Sequence, residues 1–314
     1  MRARIPALNI VFFGTPDFAM PSLRALLDSR HIVSLVVAQP DRPSGRGMKM
    51  QSPPTIVEAK GRAIECLQPE KVRDPAFLER VRQSRSDLGI VIAYGRILPS
   101  TLLIIPTHGF LNVHASLLPA YRGAAPIQRA LEAGERETGV TIMRVDEQLD
   151  HGPILGTARL SIGDQERMPE LSARLARQGA ASLLDVIDAV EQGTSRETEQ
   201  DHAQATHAAK LERSEGLIDW SAAAGSIYNR FRGFDPWPGV FFKAGSEMVK
   251  VVGMRPSEES GTPGEIVSLG GRTAIVAAGD RSLELVQVKR PGKPSVDAAE
   301  YFRSRDRRTG DRLE

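Results

Sequence analysis

The chain has 314 residues, 41% of them hydrophobic and 25% charged, with 41 Lys and Arg against 39 Asp and Glu. That balance excludes a disordered chain, which would be poorer in apolar residues, and a net charge of +2 is too small to name a nucleic-acid partner by itself. The one cysteine, Cys66, excludes a disulfide within the chain and any multi-cysteine metal site.

The small positive excess lies in the C-terminal third, where residues 209–314 hold 17 Lys and Arg against 15 Asp and Glu. Cys66 sits in the apolar run Ala63–Leu67 and reads as a buried, inert thiol. Met1–Asn9 is short and basic and lacks the apolar stretch of a signal peptide. No window approaches the roughly 18 apolar residues of a membrane span. The expectation is a cytoplasmic, monomeric protein with no membrane partner, long enough for two domains.

In chain order, Leu8–Phe13 is an apolar run ended by Gly14-Thr15-Pro16, a strand followed by a turn. Phe18–Ser29 places Leu23, Leu26 and Leu27 at helical spacing, and His31–Ala38 reads as a second strand. Gln39–Pro54 holds four prolines and two glycines among Arg42, Arg46 and Lys49, which predicts an exposed loop. Leu88–Ala93 and Gly109–His114 are further apolar strands. Gly139–Val145 and Pro153–Leu160 follow, then a helix over Arg167–Gln192 with Leu171, Leu175, Leu183, Leu184 and Ile187 along one side. Strands alternating with helices predict an α/β class, a doubly wound, Rossmann-like parallel sheet buried on both faces.

Gly193–Ala209 is rich in Thr, Gln, Glu and Ala and reads as a linker. Beyond it Leu217–Trp220, Gly239–Phe242, Met248–Met254, Gly264–Leu269, Thr273–Ala277 and Ser282–Val288 are short strand candidates parted by Gly, Pro and Ser. They predict a small C-terminal β-barrel of the oligonucleotide-binding (OB-like) kind. The expected domains are therefore 1–192, a linker over 193–209, and 210–314.

The chemistry concentrates in Gly109–Leu155. Asn112 and His114 are two apart on a strand, so they share one face, where open α/β sheets place their sites. Ser116-Leu-Leu-Pro119 and Tyr121-Arg122-Gly123 follow, and Asp150 lies in a turn between two strands. Asn, His and Asp supply a neutral donor, a titratable base and a carboxylate. Those groups suit transfer of a carbonyl carbon between nitrogens, which needs a stabilised oxyanion and moving protons. Each feature also has a plain structural reading: a hydrogen-bonded strand rim for Asn112 and His114, turn chemistry for Asp150, and a solvated surface for the basic loop.

Taken together, Asn112–His114, Ser116–Pro119, Tyr121–Gly123 and Asp150-His-Gly152 resemble, in order and spacing, the signature of the folate-dependent formyltransferases. Ile10–Ala19, Gln39–Pro54, Ala93-Tyr-Gly-Arg-Ile-Leu-Pro99, Lys210–Trp220, Asp235–Gly239, Pro291–Lys293 and Ala298–Phe302 are similar to the methionyl-tRNA branch of that family. The resemblance implies Asn112, His114 and Asp150 as the catalytic trio. It implies Ser116, Leu117, Leu118 and Pro119 as the tetrahydrofolate-contacting segment. It also implies 10-formyltetrahydrofolate as co-substrate, initiator methionyl-tRNA as acceptor, Arg42, Arg46 and Lys49 as tRNA contacts, and no need for a metal. Gln148 and His151 depart from the family pattern, flanking Asp150 without replacing it.

Three rivals are weaker. A nicotinamide-dependent dehydrogenase would carry G-x-G-x-x-G, and Gly14 stands alone in its turn. A formyltransferase for a nucleotide sugar or a glycinamide ribonucleotide would share the trio but has no use for the basic loop and C-terminal barrel. A non-catalytic RNA-binding module would have no reason to keep the trio.

Overall fold

A computed structural model describes residues 7–44, 47 and 49–313. The chain packs as two units. The first comprises residues 7–123, Glu137–Ser161 and Ser172–Ala208. The second comprises Ala124–Arg136, Ile162–Leu171 and residues 209–313. The expected division follows chain order; packing instead places the 124–136 and 162–171 segments with the C-terminal unit. The reason lies within that unit, where the helix Pro126–Glu132 packs on the helix Ala224–Gly233 and Ala125 enters the same core as Trp220 and Phe231.

The first unit is built on seven strands: β1 (Asn9–Gly14), β2 (Ile32–Val37), β3 (Glu65–Leu67), β4 (Leu88–Ile92), β5 (Phe110–His114), β6 (Glu137–Arg144) and β7 (Ile154–Ser161). Their spatial order is β7-β6-β5-β4-β1-β2-β3. Strands β1 to β5 pair in parallel, while β6 and β7 join antiparallel. An antiparallel neighbour needs no crossover along the sheet, so the chain can enter β6 from the end where β5 finishes. Alternate residues of β1 feed two cores. Ile10 and Phe12 pack with Ile90, Leu111 and Val113, and Val11 and Phe13 with Leu35, Val37 and Phe110. Both faces are thus apolar, as the uninterrupted hydrophobic runs predict.

The long helix Met168–Glu191 buries Leu183, Val186, Ile187 and Val190 against the first of those cores. A Cβ at Gly179 would lie 2.6 Å from Val113, so the helix approaches β5 as closely as it does because glycine stands there. In the first unit two helices were not foreseen from the sequence, Pro54–Gly61 and Pro75–Gln83. Each opens on a proline, which reads as a loop signal yet suits the first helical turn, where the missing N–H has no partner to lose. The single cysteine lies half-buried on β3 rather than fully buried as expected, and desolvation still pushes its thiol pKa up.

The second unit carries β8 (Val240–Ala244), β9 (Glu247–Ser257), β10 (Ile266–Gly270), β11 (Thr273–Ala277), β12 (Ser282–Lys289) and β13 (Ser295–Asp297). All ladders are antiparallel, in the order β8-β9-β12-β11-β10, with β13 on β12. Register shifts around Gly253 bend β9. Among the described residues no ladder joins β8 to β10, so the sheet is open along that seam. Phe242, Tyr301 and Phe302 form its aromatic centre. Leu217–Trp220 is not a strand. Leu217 makes one isolated bridge to Phe241, and the Asp219 carboxylate then accepts from the Ser221 amide at 2.9 Å and turns the chain.

Candidate active site

Strand β5 ends at His114 and pairs through Asn112 with Val91 of β4 and Met143 of β6. Asn112 and His114 face the same side, and the chain between β6 and β7 folds back to bring Asp150 to them. Asn112 Nδ2 donates to Asp150 Oδ1 at 3.4 Å, and His114 Nδ1 lies 3.6 Å from the same oxygen. The other oxygen, Oδ2, accepts from the Gly123 amide at 2.8 Å. The side chains of His114 and Asp150 are only 6% and 10% exposed, so these polar contacts are their alternative to water. His114 Nε2 is 2.9 Å from the Tyr121 carbonyl. A carbonyl only accepts, so Nε2 carries a proton and Nδ1 is the nitrogen that gains or gives one toward Asp150.

Asp150 and Tyr121 both adopt left-handed backbone, with φ of 50° and 60°. For non-glycine residues that conformation costs about 1–2 kcal/mol, and here it aims a carboxylate and a carbonyl at one imidazole. The residue that holds Asp150 in place escaped the sequence reading. Gln200 is buried, and its Nε2 donates to the carbonyls of Asp150 and Gly152 at 3.0 and 2.7 Å. Its Oε1 accepts from Arg122 Nε and Nη2 at 3.1 and 2.6 Å. A lone Gln in a Thr- and Ala-rich stretch carries no signal of such a role. The rest of that stretch is also tied down within the first unit. Thr206 Oγ1 accepts from the Tyr121 amide at 2.8 Å, and His207–Ala208 pairs with Arg122–Gly123.

In the 116–119 segment Ser116 and Leu118 are buried, whereas Leu117 and Pro119 are partly exposed. The Ser116 hydroxyl donates to the Ala120 carbonyl at 2.6 Å, so it shapes its own turn. Thr141 of β6, fully buried, donates from Oγ1 to the Ser116 carbonyl at 2.7 Å and accepts from the Leu118 amide at 3.1 Å. The Leu118–Pro119 peptide bond is cis.

The basic loop does not join the main sheet but forms a ribbon of its own. Arg42 pairs with Gln51, Pro43 with Met50 and Ser44 with Lys49. Opposed residues of an antiparallel pair share a face, so Arg42 and Lys49 stand together on one side, with Pro43 and Met50 on the other. Both cations are exposed; Arg46 lies outside the described residues. At the ribbon's base Asp41 accepts from Gln68 at 2.6 Å and Ser52 at 2.9 Å, and these bonds hold its carboxyl below the usual range.

Among the described residues, His31, Asp188 and Glu191 have the composition of a cation site. Arg30 already supplies positive charge there, binding both carboxylates, and His31 Nδ1 accepts from the Leu8 amide at 3.2 Å. A surface hollow of about 500 Å³ beside Met20, Pro54 and Val57 contains none of the trio.

A half-buried amide donor, a buried imidazole and a half-buried carboxylate converging on one point can stabilise an oxyanion and move a proton. The chain matches the family described as formyl transferase over residues 8–187, and the formyl transferase C-terminal domain over residues 210–306. It belongs to the formyl transferase family. A protein of Geobacter metallireducens named methionyl-tRNA formyltransferase is 42% identical over 94% of this chain and 95% of its own. One of the same name from Anaeromyxobacter dehalogenans is 45% identical over 93% of this chain and 95% of its own. Among solved structures, HypX of Aquifex aeolicus in complex with tetrahydrofolic acid shares the fold, with a TM-score of 0.63 at 18% identity. That match covers 95% of this formyl transferase, which spans 47% of the HypX chain.

Proposed function

We propose that this formyl transferase carries the formyl group of 10-formyltetrahydrofolate to the free amine of initiator methionyl-tRNA. The observation that carries the reading is the meeting of Asn112, His114 and Asp150 within 3.6 Å. The names of the full-length relatives favour the tRNA acceptor over a nucleotide sugar or glycinamide ribonucleotide. The amine nitrogen attacks the formyl carbon and forms the new carbon–nitrogen bond. Asn112 Nδ2 and a protonated His114 stabilise the oxyanion. Asp150 takes the proton from the amine, His114 gives its Nδ1 proton to N10 of the folate as the bond between N10 and the formyl carbon breaks, and Asp150 then returns a proton to His114. The formyl group arrives already activated on N10, so the reaction as written calls on neither ATP nor a metal.

Folate in this reading lies along residues 116–119, where Leu117 and Pro119 offer apolar surface and Ser116 and Leu118 set the shape. Arg42, Arg46 and Lys49 contact the tRNA, and the C-terminal sheet, as an OB-like surface, contacts it again. The first packed unit, with Gln200 and Thr206 of the 193–209 stretch tied into it, forms the catalytic region, and the second unit forms the tRNA-binding region. The protein works as a cytoplasmic monomer; no helix among the described residues is long and apolar enough to cross a membrane.

The deciding experiment mixes the protein with 10-formyltetrahydrofolate and methionyl-tRNA, initiator or elongator. Formylation of the initiator species alone supports donor, acceptor and specificity together. Formylation of an amino-sugar nucleotide or glycinamide ribonucleotide, with neither tRNA modified, overturns the acceptor.

A further inference from the structure

The residue after Asp150 is His151, and its ring lies flat on that of His202, with centroids 4.0 Å apart and planes inclined by 4°. Each ring is also held at its edge. His151 Nδ1 is 2.7 Å from Asp146 Oδ2, and Asp146 Oδ1 accepts from the Gln148 amide at 2.9 Å. His202 Nδ1 is 2.8 Å from Arg122 Nη2. A guanidinium only donates, so His202 Nδ1 accepts and its ring is neutral. His151 faces a carboxylate and carries its proton on Nδ1. Two charged rings would repel at this distance, and the accepting Nδ1 of His202 keeps that ring uncharged. His202 itself is set by a short turn, whose cap Asp201 accepts from the Ala203 amide at 3.1 Å.

Arg122 therefore acts twice on the chain around Asp150. Through Gln200 it holds the carbonyls of Asp150 and Gly152, and through His202 it holds the ring of the residue between them. Asp150 needs such restraint because its left-handed backbone, φ 50°, is not one an aspartate keeps unaided. The backbone bonds fix the height of the loop. The ring stack resists its rotation about the chain axis, which would swing the Asp150 carboxylate away from His114.

We infer that His202 is a positioning residue for the transfer reaction, which, through its stack on His151, holds the Asp150 carboxylate toward His114. This rests on the reading of Asp150 as the catalytic carboxylate. A positioning defect lowers turnover and leaves binding alone, because folate and tRNA meet other residues.

The test uses His202→Ala, His202→Phe, His151→Ala and the His151→Ala/His202→Ala double variant in the full chain. It measures steady-state formylation of methionyl-tRNA and hydrogen exchange of the peptide spanning 146–152. In His202→Ala, kcat should fall about tenfold, the scale on which a sub-ångström misplacement acts, while KM for both substrates changes less than about twofold. Exchange over 146–152 should quicken. His202→Phe keeps a flat ring over His151 and should restore kcat to within about twofold of the parent, and the double variant should lose no more than His151→Ala alone. The inference is overturned by unchanged kcat in His202→Ala, by a fall in kcat without faster exchange, or by a Phe variant as impaired as the Ala variant. A parent that does not formylate methionyl-tRNA defeats the functional reading instead, and the exchange rates still decide whether the stack holds the loop.

Discussion

His114 and Asp150 face one another across 3.6 Å, and the Tyr121 carbonyl holds the opposite ring nitrogen at 2.9 Å. The imidazole is therefore pinned between two acceptors, with its exchangeable proton on the side of the carboxylate. His114→Ala and Asp150→Ala should each lower kcat by about a hundredfold or more, as when a positioned acid–base group is lost. Because the two act through one proton, the double variant should fall little below the worse single one. Circular dichroism checks the fold, and near-normal turnover in either folded variant sinks the assignment.

Thr141 ties β6 to the 116–119 segment by two hydrogen bonds from one buried hydroxyl. Thr141→Val keeps the volume but strands the Ser116 carbonyl and Leu118 amide, at a cost of about 1–3 kcal/mol for each unpaired group. The segment should then hold the folate less well, so KM for 10-formyltetrahydrofolate should rise several-fold with kcat nearly kept. Thr141→Ser should recover most of the loss. Equal KM in the parent and the Val variant would show that the segment's shape does not depend on this tether.

Much of this was legible in the sequence, for reasons that also explain the gaps. The strands flanking the site are apolar runs bounded by turn residues, and the two-residue step from Asn112 to His114 fixes their shared face. The pairing direction of β6 was not legible, because a buried strand shows the same apolar run whichever way it pairs. Gln200 and Thr141 each act through two hydrogen bonds to backbone more than 20 residues distant, and nothing in their local composition marks such a partner. The 193–209 stretch reads as a linker because it holds few large apolar residues. It is ordered instead by polar bonds from Thr206 and Gln200, which leave no hydrophobic period to read.

In the second unit Arg129 grips Glu215, Nη1 to Oε2 at 2.7 Å and Nη2 to Oε1 at 3.1 Å. Arg129 first, and the Glu212 amide after burial is counted, hold the Glu215 carboxyl below its usual range. A carboxyl whose pKa is lower folded than unfolded contributes stability above its unfolded value, near 4.3 for Glu, and loses that contribution as pH falls through the folded value. Glu215→Gln should therefore lower the melting temperature of the C-terminal transition by about 2–4 °C near pH 7, the shift expected for roughly 1 kcal/mol. The gap between parent and variant should hold down to about pH 5 and close in more acid buffer. A gap that persists unchanged at pH 3 would assign the loss to packing rather than to the ion pair.

The ribbon carrying Arg42 and Lys49 is the last place where chemistry and geometry agree on a testable role. The two cations share one face, and the bonds from Gln68 and Ser52 to Asp41 fix the ribbon's base rather than its tip. Phosphates on an RNA acceptor stem attract such a face through released counterions, so binding should weaken with salt. Replacing Arg42 and Lys49 with Ala should raise KM for methionyl-tRNA and leave KM for 10-formyltetrahydrofolate unchanged. Each lost phosphate contact should also flatten the plot of log affinity against log salt by about one unit. If kcat falls as well, the ribbon also presents the amine to the trio, since only contacts that strengthen in the transition state alter kcat. Asp41→Ala separates anchoring from charge, because it loosens the base while keeping both cations. If the ribbon must be held as well as charged, that variant should raise KM for tRNA and leave the salt slope alone. Parent-like formylation by the Arg42→Ala/Lys49→Ala variant at both low and high salt would reduce the ribbon to solvated surface.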